Sequence, residues 1–202
     1  VNLSHLNASC SFNHSSLRCT SHNPADLPLL QLMMMAADGW HIYNGEVIPL
    51  DVTRVRIDES LTVIPARAFH RNPSIEELEC HDRVKTVEEF AFRNCTSLRI
   101  VIMLGVEVVA HEAFDNCHAL AYVECGKLER IGNYAFSGCN SLGSINLPSA
   151  KIVGRFAFPN CTALTNVKFG KELESIGDGA FVDCTSLERI TIPLKDGMIT
   201  YD

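Results

Sequence analysis

Apolar residues recur along most of this chain in one fixed pattern, written A-F-x-x-C-x-x-L. Complete copies occupy residues 91–98, 113–120, 135–142, 157–164 and 180–187. A sixth copy, at 68–75, has Asn72 in the cysteine position and Ile75 in the leucine position. The alanines that open successive copies lie 22 or 23 residues apart. A period of this length indicates a repeat solenoid, in which each repeat packs only on its neighbours.

The segments between the copies alternate apolar and polar positions with a period of two, which is typical of half-buried strands. Examples are Leu78 with Cys80, and Ile145 with Leu147. A shorter apolar pair follows each strand, such as Val84 with Val87, and the chain then reaches the Ala-Phe turn. We predict a right-handed coil of parallel β-strands with short helical or turn segments, about seven coils in all.

The repeated phenylalanines and cysteines are predicted to stack in columns inside the coil. Equivalent residues in adjacent coils of such a stack lie about 4.8 Å apart, but their side chains run parallel, which is poor geometry for disulfides. Seven of the nine cysteines occupy these inward positions. We therefore interpret them as buried free thiols, which favours a reducing, cytoplasmic compartment. Cys10 and Cys19 lie outside the repeats and are left as either a pair or two single thiols.

The array has predicted boundaries on both sides. Residues 1–37 lack the repeat and are expected to be disordered or a non-native extension. They carry three glycosylation sequons, and the apolar run at 27–37 has two interpretations: a late signal-peptide core, or a natural start at one of its methionines. Residues 38–51 are predicted to form an N-terminal hairpin cap around the Asn44-Gly45 turn, 52–193 the solenoid, and 194–202 a C-terminal tail or partial cap. The exposed edge of the last coil is a candidate for edge-to-edge self-association.

The unit A-F-x-x-C-x-x-L-x-x-I-x-L-P, preceded by Ile-Gly as at Ile131-Gly132 and Ile176-Gly177, resembles the BspA-like leucine-rich repeats. That family occurs in bacterial surface antigens and is expanded in microbial eukaryotes. The resemblance covers about residues 52–193 and implies a leucine-rich-repeat-like solenoid. The asparagine that follows the strand in better-known leucine-rich repeats is replaced here by Val106, Leu128 or Ala150. We expect the thiol column to make part of the hydrogen bonds that this asparagine would make.

The charge of the chain and its short motifs argue against several classes of function. A net charge of -7 and a pI near 5.6, without a Lys/Arg cluster, argue against nucleic-acid binding. No apolar run is long enough to predict a membrane span. Residues 111–115 (HEAFD) approach a zinc-protease motif, and residues 80–82 (CHD) a nucleophile constellation, but both coincide with repeat positions. We predict no catalytic residue, no metal site and no cofactor, and therefore no enzyme.

The outward strand positions vary from repeat to repeat, unlike the inward ones. In the middle of the array, Ile100, Ile102 and Tyr122 are predicted to form an exposed apolar patch with a charged rim, which suits a contact with another protein. The opposing interpretation is that β-branched and aromatic residues simply favour strands. The candidate partner-binding residues are Glu77, Glu79, Ile100, Ile102, Tyr122, Glu124, Asn146 and Lys168.

Three functions remain in view. The first is a non-enzymatic protein-interaction module that binds a protein partner through the outward positions of its strands. The second, implied by the bacterial members of the family, is a secreted or cell-surface adhesion and recognition protein. The third is the recognition domain of a larger multidomain protein.

Overall fold

A computed structural model describes residues 39–193, together with the backbone of two strands nearer the amino terminus. The chain divides into a small unit, Val1–His41, and a large one, Ile42–Asp202. In the small unit β1 (Ala8–Asn13) and β2 (Ser16–Ser21) pair antiparallel, and their register sets the backbone of Cys10 opposite that of Cys19. The remaining expectations for 1–37, and those for 194–202, lie outside the described residues.

The large unit is built from short strands that return at every coil. After β3 (His41–Tyr43), each coil has a first strand and a shorter second strand. The first strands are β4 (Arg54–Ile57), β6 (Glu77–Glu79), β8 (Ile100–Ile102), β10 (Tyr122–Glu124), β12 (Ser144–Leu147), β14 (Asn166–Phe169) and β16 (Arg189–Thr191). The second strands are β5 (Val63–Ile64), β7 (Thr86–Val87), β9 (Val108–Val109), β11 (Arg130–Ile131), β13 (Ile152–Val153) and β15 (Ser175–Ile176). Within residues 39–193, six complete coils are thus followed by the first strand of a seventh.

First strands stack on first strands and second strands on second strands, in parallel, which confirms the predicted solenoid. The second strands form one continuous six-stranded sheet in the order β15-β13-β11-β9-β7-β5. The first strands form two sheets, β10-β8-β6-β4, which β3 extends beside β4, and β12-β14-β16. No backbone hydrogen bond joins β10 to β12 among the described residues. The periodicity predicted one continuous ladder here, and this break in it was missed.

The third side of each coil is a ribbon of turns, and residues 39–193 contain no helix. Alternate amides bond within the turn and to the next coil: Ala91 donates to the Glu88 carbonyl at 3.3 Å, and Phe92 to that of Ala113 at 2.7 Å. Each coil therefore satisfies its turn backbone by stacking. This corrects the predicted short helical turn in favour of the turn alternative.

The phenylalanines form the predicted central column. Neighbouring rings from Phe69 to Phe181 lie nearly parallel, with centroids 4.6, 5.0, 5.2, 5.1 and 5.4 Å apart. The four rings of the inner coils are fully buried, and each is worth about 1.5–3 kcal/mol of burial free energy. The column joins the aliphatic positions of both strand sets in one hydrophobic core.

The cysteine column lies beside it. All seven described cysteines are free, as predicted. Each repeat thiol donates to the backbone carbonyl of a phenylalanine one coil back, as Cys95 does to Phe69 at 2.9 Å and Cys184 to Phe158 at 3.0 Å. In the first coil Asn72 takes this position, and its Oδ1 accepts from the Ser74 amide at 2.9 Å. The expected hydrogen-bonding role of the thiols is confirmed.

The amino-terminal edge differs from the predicted hairpin. Residues 46–48 form no strand beside β3, and β3 lies next to β4 instead. Val47, in the second half of the predicted hairpin cap, is 97% exposed, whereas Tyr43 is buried with its ring centroid 4.6 Å from that of Phe69. Tyr43 therefore continues the ring column at this end.

Candidate partner-binding face

The outward side chains of β4, β6, β8 and β10 form a single face, which we call the strand face. The register aligns Arg54 with Glu77 and Arg56 with Glu79, and both pairs form ion pairs, with Nε to Oε2 distances of 3.0 and 2.8 Å. Both predicted acidic residues are thus neutralised by the preceding coil. Exposed pairs of this kind contribute little stability, but they fix the charge pattern of the face.

The predicted apolar patch lies in the middle of this face. Ile100 stands opposite Tyr122, and Ile102 opposite Glu124, in the parallel register of β8 with β10. Tyr122 is 51% exposed, and the two isoleucines are half-buried. On the other side of β8, Ile100 and Ile102 align with Glu77 and Glu79. Six of the eight candidate residues therefore lie together on one sheet.

The other two candidates lie across the break. Asn146 on β12 aligns with Lys168 on β14, in a sheet that has no ladder to β10. A cleft of about 290 Å³ opens at this point. Its lining includes Tyr122, Glu124 and Asn146, and also Leu104 and Pro148, which the sequence analysis did not single out. The sequence carries no distinctive signal for them, because Pro193 holds the same repeat position as Pro148 and the ladder between β14 and β16 is intact.

The discounted motifs behave as repeat positions. Ala113 and Phe114 are fully buried and belong to the core columns, so the HEAFD stretch is part of a turn. Cys80 is buried, while the His81 ring nitrogen Nε2 lies 3.0 Å from the Asp58 carbonyl oxygen. Burial raises the pKa of Cys80 to about 12, which removes the thiolate a nucleophile needs.

Outside the strand face, aromatic rings form a second surface stripe on the turn ribbon. Its ring centroids follow in the order Phe90, His111, Tyr134 and Phe156, at 5.4, 6.1 and 5.3 Å. Arg67 and Arg93 stack over Phe90 at 5.2 and 5.5 Å. These rings mainly contact one another from coil to coil, as expected for packing between coils.

The strand columns, the turn ribbon and the Phe and Cys columns coincide with a known repeat. Residues 50–127 and 107–201 match the model of the BspA type leucine-rich repeat region, with six copies. The chain belongs to the BspA-type leucine-rich repeat family. A comparison with curated proteins gave no match.

Two bacterial proteins with solved crystal structures were found in a comparison with this BspA-type protein. A leucine-rich repeat protein of T. pallidum, TpLRR, is similar with a TM-score of 0.61 at 28% identity, over 75% of this chain and 68% of that chain. A leucine-rich repeat protein from Bacteroides ovatus has a TM-score of 0.34 at 17% identity, over 89% of this chain and 79% of that chain. Solenoids of this class generally present extended surfaces for binding. Among the described residues, no helix has the length and apolar character needed to cross a membrane.

Proposed function

We propose that this BspA-type protein is a non-enzymatic protein-interaction module whose partner binds the strand face. The observation that carries the proposal is the patch of Ile100, Ile102 and Tyr122, which brings apolar surface from two coils side by side in register. An exposed aromatic residue within a polar rim is typical of interface centres.

The charges around the patch support a specific contact. Glu77 and Glu79 are each paired with an arginine, whereas no ion pair to Glu124 is found among the described residues. A partner that covers the patch would therefore meet a neutralised rim on one side and a carboxylate on the other. Asn146 and Lys168 extend the same surface beyond the cleft.

The test compares three forms of the protein as bait in quantitative pull-downs. The double variant Ile100→Glu, Tyr122→Glu places two carboxylates in the patch, and we expect it to lose bound partner by at least about tenfold, because burying unpaired charge costs well over 1.4 kcal/mol. The melting temperature should fall by only a few degrees, since neither side chain is in the core and the cost is limited to repulsion between the aligned carboxylates.

The matched control is Ile152→Glu, which changes an isoleucine that is 40% exposed on β13, in the other sheet. This variant should retain the partner. Binding that survives the double variant, or that is lost equally in the control, would rule out the strand face.

A further inference from the structure

The cleft between β10 and β12 leaves backbone groups without the partners that their counterparts have elsewhere. The carbonyls equivalent to Ala121 accept amides from the next coil, as Arg99 does from Tyr122 at 3.1 Å and Gly143 from Thr165 at 2.8 Å. The amides equivalent to Cys125 donate to the next coil, as Met103 does to Glu124 at 2.9 Å. Within the described part of the chain, the Ala121 carbonyl and the Cys125 amide make no such bond.

Pro148 lies at the level of the break but does not by itself end the ladder, because Pro193 holds the same repeat position after β16 and β14 still pairs with β16. Pro148 has no amide to donate across the break, whereas Gly170 in the next coil donates to Leu147 at 3.1 Å. Gly126, on the β10 side of the cleft, has open space around it, since an added Cβ there would meet nothing within 4 Å. Side chains bridge the two coils at this level: Cys125 Sγ lies 3.7 Å from the Asn146 carbonyl oxygen, and Ser149 Oγ donates to the Gly126 carbonyl at 2.8 Å.

The cleft therefore combines unpaired hydrogen-bonding groups with apolar walls. Leu104 is 47% and Tyr122 51% exposed, and with Pro148 they offer a surface for an aliphatic chain and a ring for stacking. The acceptors are the Ala121 carbonyl, the Glu124 carboxylate and the Asn146 side chain, and the Cys125 amide is a donor. At about 290 Å³ the space suits one large residue and is too small for a folded element.

We propose that this cleft receives one arginine residue of the partner, an inference that rests on the proposed function of the strand face. The methylene stem lies along Leu104 and Pro148, and the guanidinium stacks on Tyr122 and binds the Glu124 carboxylate. The main-chain carbonyl of the same residue accepts from the Cys125 amide.

Arginine fits better than lysine for a physical reason. The acceptors lie on both sides of the cleft, and a planar guanidinium presents five donors in a fixed fork, whereas an ammonium is a compact point charge that stays hydrated. Stacking on a tyrosine ring adds to the preference. The protein's net charge of -7 favours a cationic residue at an unpaired carboxylate.

The first test asks whether the cleft is open in solution. Amide hydrogen exchange, followed residue by residue by NMR, should be at least about tenfold faster at Cys125 than at Met103, because only the Met103 amide is hydrogen-bonded to the next coil. Equal protection would mean that the ladder is closed, and the proposed site would not exist.

The second test titrates N-acetyl-arginine methylamide into the 15N-labelled protein, with the citrulline and lysine analogues as comparison probes. We expect saturable shifts confined to residues 121–126 and 143–148, with the citrulline and lysine probes at least about fivefold weaker. Shifts that are equal for the three probes, or spread over all acidic residues, would overturn the proposal.

Two variants assign the effect to the cleft. Glu124→Gln should weaken arginine binding about fivefold and remove the preference over citrulline, whereas Glu188→Gln, at an exposed glutamate near β16, should change nothing. Gly126→Leu should block binding without a change in melting temperature, since its side chain has open space and the equivalent residue one coil earlier is Leu104. Arginine binding that is unaffected by Glu124→Gln would refute the proposal.

These outcomes are separable from the proposed function. A protein that loses its partner through Ile100→Glu, Tyr122→Glu but shows no arginine-specific shifts keeps the strand-face function and loses only the arginine cleft.

Discussion

The residue before each repeat alanine has a left-handed backbone, although most of these residues are poorly suited to it. Tyr134 has a φ of 56° and Phe156 a φ of 50°, in a region that bulky side chains rarely occupy. Stacking holds the conformation, because the Tyr134 amide donates to the Arg155 carbonyl at 3.2 Å and its ring lies on that of Phe156. The last described member of this series is a glycine, Gly179, with a φ of 64°.

The backbone strain at Tyr134 predicts that a glycine variant is more stable than an alanine variant, the reverse of the usual order. Both Tyr134→Gly and Tyr134→Ala lose the ring contacts, but only alanine keeps a Cβ in the left-handed region, so the glycine variant should be more stable by about 1 kcal/mol. Urea unfolding of the two variants measures this. The control site is Arg130, which is exposed on β11 with ordinary strand geometry, and there the alanine variant should be the more stable one. If alanine is the more stable variant at both sites, strain at Tyr134 is excluded.

The cysteines predict a graded reactivity. Burial raises the pKa of Cys80, Cys95 and Cys125 to about 12, whereas the neighbouring Cys161 thiol lowers the pKa of the half-buried Cys184. Because the thiolate is the reactive form, iodoacetamide at pH 8 should label Cys184 at least about ten times faster than the other three. The ratio should narrow as the pH approaches 12. Peptide mapping by mass spectrometry gives the rates, and labelling of Cys95 at the rate of Cys184 would contradict this order.

At the scale of elements, stability is concentrated in the inner coils. Phe136 is fully buried between Phe114 and Phe158, whereas Phe181 in the last complete coil is only partly buried. Each inner coil is packed on two sides, and the last described one on its preceding neighbour.

This difference predicts unequal costs for one substitution. Phe136→Ala should destabilise the protein by about 3–5 kcal/mol through lost contacts and a cavity, and Phe181→Ala by less than half as much. Thermal and urea unfolding of both variants, with a check for intermediates because repeat arrays can depart from two-state behaviour, measure the ratio. Equal losses would mean that Phe181 is covered as fully as Phe136.

How far the sequence determined these elements depends on what fixes each one. The Phe and Cys columns were predictable, because a 22-residue period and two-residue alternation leave no other place for Phe136 or Cys139. The break at β10 was not, since Val123 and Ile145 carry the same inward pattern as every other coil and only the backbone bonding across Pro148 differs. The turn ribbon was ambiguous because a helical turn and a series of turns share the same apolar spacing. The position of Val47 was predicted wrongly, because an Asn-Gly pair indicates a turn but does not determine which strand β3 lies beside.

At the scale of the whole solenoid, the two described ends are unequal. Tyr43 continues the ring column at the amino-terminal end, while Ile190 on β16 and Ile192 just after it are 41% and 51% exposed. Their counterparts one coil earlier, Val167 and Phe169, are buried. β16 pairs only with β14 among the described residues, and an apolar surface beside such a strand edge favours contact with a second copy of the chain.

We therefore expect Ile190→Lys to reduce self-association. Sedimentation velocity over a concentration series should show a dimer fraction for the unmodified protein that falls at least about fivefold in the variant, since a lysine charge is costly to bury. The control is Ile152→Lys, which adds the same charge to the six-stranded sheet. A purely monomeric unmodified protein, or an equal effect of both variants, would refute this expectation.

The interrupted ladder also has a mechanical consequence. Parallel hydrogen-bonded ladders resist stretching along the stack. At the level of β10 and β12 the ladder of first strands is interrupted, while the ladder of second strands on the opposite side, from β9 through β11 to β13, is intact. Bending of the solenoid should therefore be concentrated in that plane, with the six-stranded sheet acting as the flexible spine of a hinge. Changes in curvature would widen or narrow the space between Tyr122 and Asn146, so that a bound residue would act as a wedge that sets the angle between the two halves of the array.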